Sequence, residues 1–555
     1  MDIKRTLLWV IFSVSGVMLF NSWQIQNGKE PLLAGLLGTP PVQNAMKKEV
    51  NPSGTPAISS NSLPSTGAAT ATSLNKEPSK IIHLKNDVID LEVDTRGGSL
   101  IKATLQSHSE GGKPVNIFHI DDESKYFARN GLIATGIDLP NHNDIFIGQL
   151  SPDGQTLTLV NEKNGIQFEK TYQLDNGSYV VNTNVKVTNK SSHVISPSLY
   201  TELVRDGLVK KESKFYSTFT GPAVYTDKEK FHKVDFTQIE KNKVSVATEL
   251  TAGETGWVAM VQHYFASAWI PEDQKNREFY FDKLEINNSA LPDTPENHLY
   301  RAGMKTPLGD IASGATSSIA LKLFVGPQEE EVLAKIAPGL ELVKDYGWLT
   351  IIAKPIFWLL TKIHSVVLNW GWSIILLTVF IKLLFFPLSA ASYKSMARMK
   401  EVQPRLALMK EQFKGEPQKL NQAMMEMYRK EKINPMGGCL PVVIQIPVFI
   451  SLYWVLLASV EMRGAPWLGW IHDLSIPDPF YILPVVMAVS MFVQTKLNPK
   501  PPDPVQAKVM AIMPIAFSVM FFFFPAGLVL YWVVNNVLSI AQQWQINRMF
   551  GAKKA

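Results

Sequence analysis

The longest uncharged segment sets the strongest limit on how this chain can fold. Residues 509–547 are 39 consecutive positions without a charged side chain. A helix needs about 20 apolar residues to cross the hydrocarbon core of a bilayer. The segment is therefore long enough for two crossings, and Pro525-Ala526-Gly527 in its middle predicts the turn between them. At least this part of the chain is expected to lie in a membrane.

Four further segments have the composition of membrane spans: residues 6–23, 365–393, 439–460 and 479–495. Together with the longest segment, they predict an N-terminal anchor over residues 1–23 and a five-span helical core over residues 365–547. For the first segment, a cleaved secretory signal is the alternative. No small-x-small cleavage site follows Phe20, and Trp23 suits a membrane interface, so an uncleaved anchor is favoured.

The part of the chain between anchor and core is polar and changes character twice. Residues 24–80 are rich in Ser, Thr and Pro and predict a flexible linker. Apolar residues then recur at every second position, as in Ile89, Leu91 and Val93. This period predicts a large antiparallel β-sandwich over residues 81–338. Residues 340–364 are apolar but interrupted by three lysines, and predict an interfacial amphipathic helix.

The charges of the loops predict the orientation in the membrane. Residues 388–438 carry ten basic and five acidic side chains, whereas residues 461–478 carry one basic and three acidic. The tail over residues 548–555 is basic. Since basic loops stay on the cytoplasmic side, both termini are predicted to be cytoplasmic and the β-domain to lie outside the cytoplasmic membrane.

Several classes of function are disfavoured by what the sequence lacks. It has no H-E-x-x-H motif and no phosphate-binding G-x-x-x-x-G-K-[ST] loop. Its single cysteine, Cys439, excludes an intramolecular disulfide, and a net charge of +5 argues against a dedicated nucleic-acid binder. No Asp, Glu or His lies within the predicted spans, which disfavours proton-coupled transport. We therefore predict no enzymatic activity, no cofactor and no metal.

Lys382 is the only charged residue inside a predicted span. Its long side chain could extend to the inner headgroups, or its ammonium could face a hydrated cavity within the bundle. Other polar residues of the predicted spans could line the same cavity: Thr378, Gln445, Tyr531, Asn535 and Asn536. Each of these, taken alone, also fits an ordinary interhelical hydrogen bond.

A methionine-rich segment follows the second predicted span. Its apolar residues recur at three- and four-residue spacing on both sides of Gly415, which predicts a cytoplasmic helical hairpin over residues 394–433. The methionines of this pattern are Met396, Met399, Met409, Met424 and Met427. They could pack the two helices together, or form an adaptable surface for the apolar segments of other proteins.

Three stretches of sequence resemble the YidC-type membrane protein insertases of the YidC/Oxa/Alb family, in the long form of Gram-negative bacteria. They are INPMGGCLPVVIQIPVFISLYW at residues 433–454, WIHDLSIPDPFYILP at residues 470–484 and FPAGLVLYWVVNN at residues 524–536. The order of anchor, β-domain, amphipathic helix and five spans resembles the same family over the full length.

This resemblance implies a protein that inserts and helps to fold inner-membrane proteins, alone or with the Sec translocon and its accessory subunits. It further implies a hydrophilic groove open to cytoplasm and lipid, with Lys382 at a position where relatives often carry Arg. The hairpin would receive nascent chains near the ribosome, and lipids would be a further partner. The β-domain resembles sugar-binding super-sandwiches such as galactose mutarotases, and a scaffolding or translocon-docking role is predicted for it.

Two other functions remain open from the residues alone. A solute transporter would typically show related halves, and the five predicted spans contain no recognisable repeat. A membrane-anchored carbohydrate-binding protein would carry its activity in the β-domain.

Overall fold

The computed structural model describes the β-domain and most of the helical core. The described residues are 78–110, 112–121, 124–209, 218–242, 244, 256–274, 276–284, 298–413, 415–431, 440–497, 512 and 518–551. The predicted anchor over residues 1–23 and the linker up to residue 77 lie outside them. The described part of the chain divides into two compact units, with the boundary between Lys344 and Asp345.

The β-domain is built from two antiparallel sheets of nine strands each among the described residues. The first sheet contains β1 (Ile81–Lys85), β2 (Ile89–Asp94), β3 (Ser99–Glu110), β4 (Lys113–Asn116), β5 (His119–Ile120), β6 (Lys125–Ile133), β11 (Ser198–Asp206), β16 (Glu278–Leu284) and β17 (Leu299–Pro307). The second contains β7 (Ile147–Leu150), β8 (Thr156–Lys163), β9 (Ile166–Leu174), β10 (Val180–Asn189), β12 (Gly221–Thr226), β13 (Lys230–Lys233), β14 (Gly256–Val261), β15 (Phe265–Pro271) and β18 (Thr316–Pro327).

The order of strands shows how the sandwich is connected. The first sheet runs β1-β2-β3-β6-β11-β17-β16, with β4 beside β3 and β5 beside β6. The second runs β13-β12-β14-β15-β18-β10-β9-β8-β7. Two short helices, α1 (Phe236–Glu240) and α2 (Glu330–Ile336), belong to the same unit. The prediction of an antiparallel β-sandwich is confirmed.

Strand β9 shows how the period of two builds the core. Its buried residues are Ile166, Phe168, Lys170, Tyr172 and Leu174, at every second position. β8 and β9 are joined by the tight turn at Asn164-Gly165, where both residues have positive φ values of 52° and 74°. Such a turn matches the twist of the strands it connects, which fixes the register and sends one row of side chains inward. That row includes a lysine.

The second unit is helical. Its helices are α3 (Thr350–Val367), α4 (Trp370–Leu384), α5 (Phe386–Gln412), α6 (Pro417–Lys430), α7 (Leu440–Ala458), α8 (Ile482–Leu497) and α9 (Ala526–Gly551). α9 begins directly after Pro525, and contacts α4, α5, α7 and α8. Buried apolar residues from these helices form one core, including Leu377, Leu452, Met487 and Val529.

Only part of the helical unit meets a length criterion for crossing a membrane. Among the described residues, Thr350–Val367 is long and apolar enough by itself, and the pair Trp370–Leu384 and Phe386–Met396 meets the criterion if taken together across a 66° bend. α3 is the element for which the sequence predicts an interfacial position. It has a buried side with Phe357 and Leu360 and an exposed side with Ile351 and Trp358. Its interfacial position stays a prediction.

Candidate functional site

A row of polar side chains follows one side of α9. Tyr531, Asn535 and Ser539 are spaced four residues apart, which places them on the same face of the helix. All three are at least nine-tenths buried, as is the neighbouring Asn536. We call these four residues the polar face of α9. Buried polar groups in a bundle must find partners or water, so their neighbours define a candidate site.

Lys382 reaches the last residue of this polar face, Ser539. It lies in the last turn of α4, and its side chain is 9% exposed. Its Nζ donates a hydrogen bond to Ser539 Oγ at 2.8 Å, and Ser539 Oγ donates to the carbonyl oxygen of Asn535 at 2.7 Å. No carboxylate among the described residues forms an ion pair with Lys382. The ammonium therefore lies between helices with a neutral hydroxyl as its acceptor.

Two other residues of the polar face, Tyr531 and Asn536, contact other helices. Gln445 Nε2 on α7 donates to the Tyr531 hydroxyl at 2.5 Å. Asn536 Nδ2 donates to Ser490 Oγ on α8 at 3.1 Å. The structure thus brings Gln445, Lys382 and the three predicted polar residues of α9 onto one helix surface. Each of them contacts a different partner, so the polar face is where α4, α7 and α8 meet α9.

Thr378 is the exception among the predicted site residues. It is buried, and its Oγ1 donates to the carbonyl oxygen of Ile374 in its own helix at 2.6 Å. A hydroxyl bonded in this way satisfies itself locally and does not tie two helices together.

Several buried side-chain oxygens of the helical unit have no hydrogen-bond partner among the described residues, and three of them bear on the candidate site. They are Asn535 Oδ1, Ser392 Oγ on α5 and Ser451 Oγ on α7. A buried polar atom without a partner costs free energy comparable to a lost hydrogen bond. Water or a polar segment of another molecule could satisfy these atoms, which is what a hydrophilic groove requires.

Sequence reasoning missed the residue that accepts the hydrogen bond from Lys382. Ser539 was not among the candidates, although it follows Asn535 by four residues and so shares its face. Tyr393 on α5 was missed too, and its hydroxyl interacts with Ser539. Helical spacing from Asn535 was the available signal for Ser539. Nothing in the sequence signals Tyr393, since its position depends on the bend between α4 and α5.

The end of α4 opposite Lys382 is densely packed. The Trp467 ring lies so close to Gly371 that a side chain at position 371 would overlap it. Asp478 is 1% exposed and accepts hydrogen bonds from the backbone nitrogen of Leu483 at 2.7 Å and from Trp470 Nε1 at 3.0 Å. Asp478 thereby caps the start of α8 and fixes the aromatic loop across this end of the bundle.

The methionine-rich hairpin has both a seam and an exposed groove. Met399, Met424 and Met427 pack against the buried pair Val402 and Leu406 between α5 and α6. Met396 and Met409 lie outside that cluster, and Met409 borders a groove of about 460 Å³. The other residues of the groove include Arg405, Leu408, Ala423, Glu426 and Lys430.

The most exposed apolar residues of the hairpin are not the predicted methionines. Leu408 is 66% exposed and Met425 is 65% exposed. Three of the five predicted methionines therefore join the helices, whereas the most exposed apolar side chains of the described hairpin belong to residues that the pattern did not single out.

Comparisons with known proteins agree over the whole chain. The family model described as 60Kd inner membrane protein matches residues 362–553, and that described as YidC periplasmic domain matches residues 81–359. The chain is 57% identical to "Membrane protein insertase YidC" of Polynucleobacter necessarius subsp. necessarius, with all of both proteins covered. It is also 57% identical to the protein of the same name from Cupriavidus taiwanensis, covering all of this chain and 99% of the relative.

A solved structure titled as an active YidC insertase with its first transmembrane domain resolved is also similar. It has 17% sequence identity and a TM-score of 0.37, and covers 84% of this chain and 94% of the other. At this TM-score the likeness supports no detail of the site, so the sequence relatives carry the assignment.

Proposed function

The chain belongs to the YidC family of membrane protein insertases, and from this premise we propose how its helical core moves the polar segment of a client protein. It is an insertase and not an enzyme, and it is an integral inner-membrane protein with a periplasmic domain. The clients are membrane proteins. Lys382 and the polar face of α9 form the polar path in this proposal.

One observation carries the proposal: the ammonium of Lys382 is buried between helices without a carboxylate partner among the described residues. An ammonium has three N–H donors, and the Ser539 hydroxyl uses one. The remaining donors call for water or an acceptor from a client. A positive charge in a medium of low dielectric constant attracts an anionic group more strongly than it would in water.

Insertion follows from this arrangement without nucleotide hydrolysis. A polar N-terminal tail must cross about 30 Å of hydrocarbon, and a hydrated groove shortens that barrier. Lys382 attracts the tail, especially an acidic one, and the unpaired oxygens of Asn535, Ser392 and Ser451 hydrogen-bond to its polar groups. The apolar segment of the client meanwhile moves into lipid along the helices, so that no polar backbone is stranded there.

Orientation and partners complete the proposal. The loop charges support cytoplasmic termini and a cytoplasmic hairpin, so that the groove opens toward the cytoplasm. Cytoplasmic exposure of Leu408 and Met425 would let the hairpin receive nascent chains at the ribosome. The Sec translocon and membrane lipids are the other proposed partners, and the β-domain is proposed to act as a scaffold.

The test of Lys382 asks whether insertion needs the positive charge at this position or the lysine side chain itself. In a strain depleted of its own insertase, Lys382→Arg is expected to support growth, because it keeps the positive charge, whereas Lys382→Ala and Lys382→Glu are expected to fail. Crosslinking from positions beside Lys382 and Gln445 to a stalled nascent chain measures contact directly. Full growth with Lys382→Ala on every client would reject the proposed role of the charge.

The test of the hairpin distinguishes a role in binding nascent chains from a purely structural role. Deleting residues 396–432 is expected to abolish insertion while leaving the bundle folded, since the core formed by Leu377, Leu452 and Val529 lies elsewhere. Leu408→Ser is the finer change, because it removes an exposed apolar side chain and leaves the Val402–Leu406 seam intact. Normal insertion by the deletion variant would show that the hairpin is only structural.

A further inference from the structure

Ser539 stands at the junction of three helices. Its hydroxyl donates to the Asn535 carbonyl within α9 and accepts from Lys382 Nζ on α4, and it also interacts with the hydroxyl of Tyr393 on α5. The side chain is 3% exposed. Because its single hydrogen is used within α9, the oxygen is oriented as an acceptor toward the other two helices.

The two helices whose side chains approach Ser539 are α4 and α5, which are joined by one bend. Lys382 is in the last turn of α4, and Tyr393 is in α5, after a 66° change of direction. α5 continues without interruption from Tyr393 to Met399 and Val402 in the hairpin. Ser539 therefore lies beside the bend, with Lys382 before it and Tyr393 after it.

The position of the ammonium depends on this contact. A lysine side chain has four flexible methylene groups and can extend in several directions, including along its own helix to a lipid headgroup. Ser539 Oγ is the acceptor that the described residues offer to Nζ. Without it, the burial of the charge is uncompensated, and moving the ammonium out to water or headgroups becomes favourable.

We propose that Ser539 is a positioning residue of the insertase. Its hydroxyl holds the Lys382 ammonium against the polar face of α9, so that the remaining N–H donors of the ammonium are presented to the carboxylates of acidic client tails. The inference rests on the proposed role of Lys382, and it assigns the orientation of that charge to a residue on another helix.

The test uses the full-length chain in vesicles of phosphatidylethanolamine and phosphatidylglycerol. A single-span client is synthesised with an acidic N-terminal tail, or with the same tail in which Asn and Gln replace Asp and Glu. Insertion is measured as the fraction of tail protected from external protease. The variants are Ser539→Ala, Ser539→Thr, Lys382→Ala and the double variant Lys382→Ala/Ser539→Ala.

Ser373 provides a matched control. It is fully buried on α4, and its hydroxyl donates to the Asn369 carbonyl four residues earlier at 2.8 Å, the same local arrangement as Ser539 with Asn535. No lysine donates to it among the described contacts. Ser373→Ala is therefore expected to insert both clients at the wild-type level.

We expect Ser539→Ala to lower insertion of the acidic tail about tenfold, equivalent to ~1.4 kcal/mol and in the range of a hydrogen bond to a charged group. The neutral tail should change much less, and Ser539→Thr should restore the acidic tail because it keeps the hydroxyl. In the Lys382→Ala background, Ser539→Ala should have no additional effect, since there is no ammonium left to hold.

Three results would overturn the inference alone: wild-type insertion of the acidic tail by Ser539→Ala, equal loss of both tails, or an undiminished effect in the Lys382→Ala background. The last two would identify a purely structural serine. Wild-type insertion of acidic tails by Lys382→Ala would overturn the proposed function of the charge, and this inference with it.

Discussion

The β-domain and the helical core each bury a lysine, and they treat it differently. Lys170 in β9 is 0% exposed, and its Nζ donates to the carbonyl oxygens of Gly97 at 2.6 Å and Asn130 at 2.9 Å. It also lies 4.5 Å from the centre of the Phe146 ring. Lys382 in α4 has one neutral hydroxyl as its acceptor among the described residues.

The difference separates a structural lysine from one available to a ligand. Strand pairing and the tight packing of the sandwich hold two carbonyls at Lys170, and the aromatic ring covers the rest of the amine. Burial also lowers the pKa of Lys170 well below its ordinary value, so that its positive charge is disfavoured. Burial alone therefore does not indicate that a lysine is functional. N–H donors that have no acceptor in the fold do.

Glu202 is a buried charge of the β-domain that does have oppositely charged partners. Glu202 is 0% exposed, and its carboxylate accepts from Arg129 Nε at 2.6 Å, Arg301 Nη1 at 3.2 Å and Tyr280 at 2.8 Å. Burial alone would raise the pKa of Glu202, but the two arginine charges hold it below its ordinary value. This network is complete around its carboxylate and serves the fold.

Removing Lys170 tests its structural role most directly. Lys170→Ala is expected to lower the free energy of unfolding of the β-domain by ~3–5 kcal/mol, because a cavity forms and two buried carbonyls lose their donors. Pulse proteolysis of the full-length protein across a urea series measures this. Lys190→Ala, which removes a half-exposed ion pair with Glu162, is the control and should cost ~1 kcal/mol or less. Equal effects would show that Lys170 is not structural.

A second prediction concerns pH, and uses His142 of the β-domain. His142 Nδ1 is 2.5 Å from the Tyr200 hydroxyl, and burial lowers the pKa of His142 to about 3. The unfolded chain therefore binds a proton below about pH 6.5 while the folded chain does not, so stability is full above that pH and falls on acidification. Between pH 7 and pH 4 the expected loss is ~3 kcal/mol.

The urea midpoint at a series of pH values measures this dependence. His142→Gln should remove most of the slope between pH 6.5 and pH 4, while the exposed His193→Gln should leave it unchanged. A slope that persists in His142→Gln would assign the acid sensitivity to other groups, such as the Glu202 network.

The smallest expected effect is on the stability of the core. Lys382→Ala should change the free energy of unfolding of the helical unit by less than ~1 kcal/mol, because the lost packing of the stem is offset by relief from burying a charge. Proteolysis of the same full-length protein reports it. A loss as large as that for Lys170→Ala would erase the distinction between the two lysines and make Lys382 a structural residue.

Much of the architecture was predictable from local patterns. The period of two predicts the antiparallel sandwich, and Asn164-Gly165 predicts a tight turn that the structure contains between β8 and β9. Lys382 is distinctive in the sequence because the predicted spans contain no other charged residue. These features depend on neighbours within one element, or on the composition of a continuous segment, and such neighbours are visible in the sequence.

The partners of the key side chains were not predictable. Lys170 and Lys382 are both lysines among apolar residues, and only the pairing of sheets and helices gives one two carbonyls and the other a serine. Ser539 lies 157 positions from Lys382 in the chain. Tyr393 reaches the same hydroxyl only because α4 and α5 bend by 66°.

Local patterns in the chain specify a β-domain and a helical core whose predicted spans contain a single charge, because the segregation of apolar residues and their period are local properties. Which acceptors the N–H donors of Lys382 meet depends on the tertiary structure. A hydrogen bond depends on atoms from distant segments meeting within about 3 Å, and packing, not composition, sets that distance.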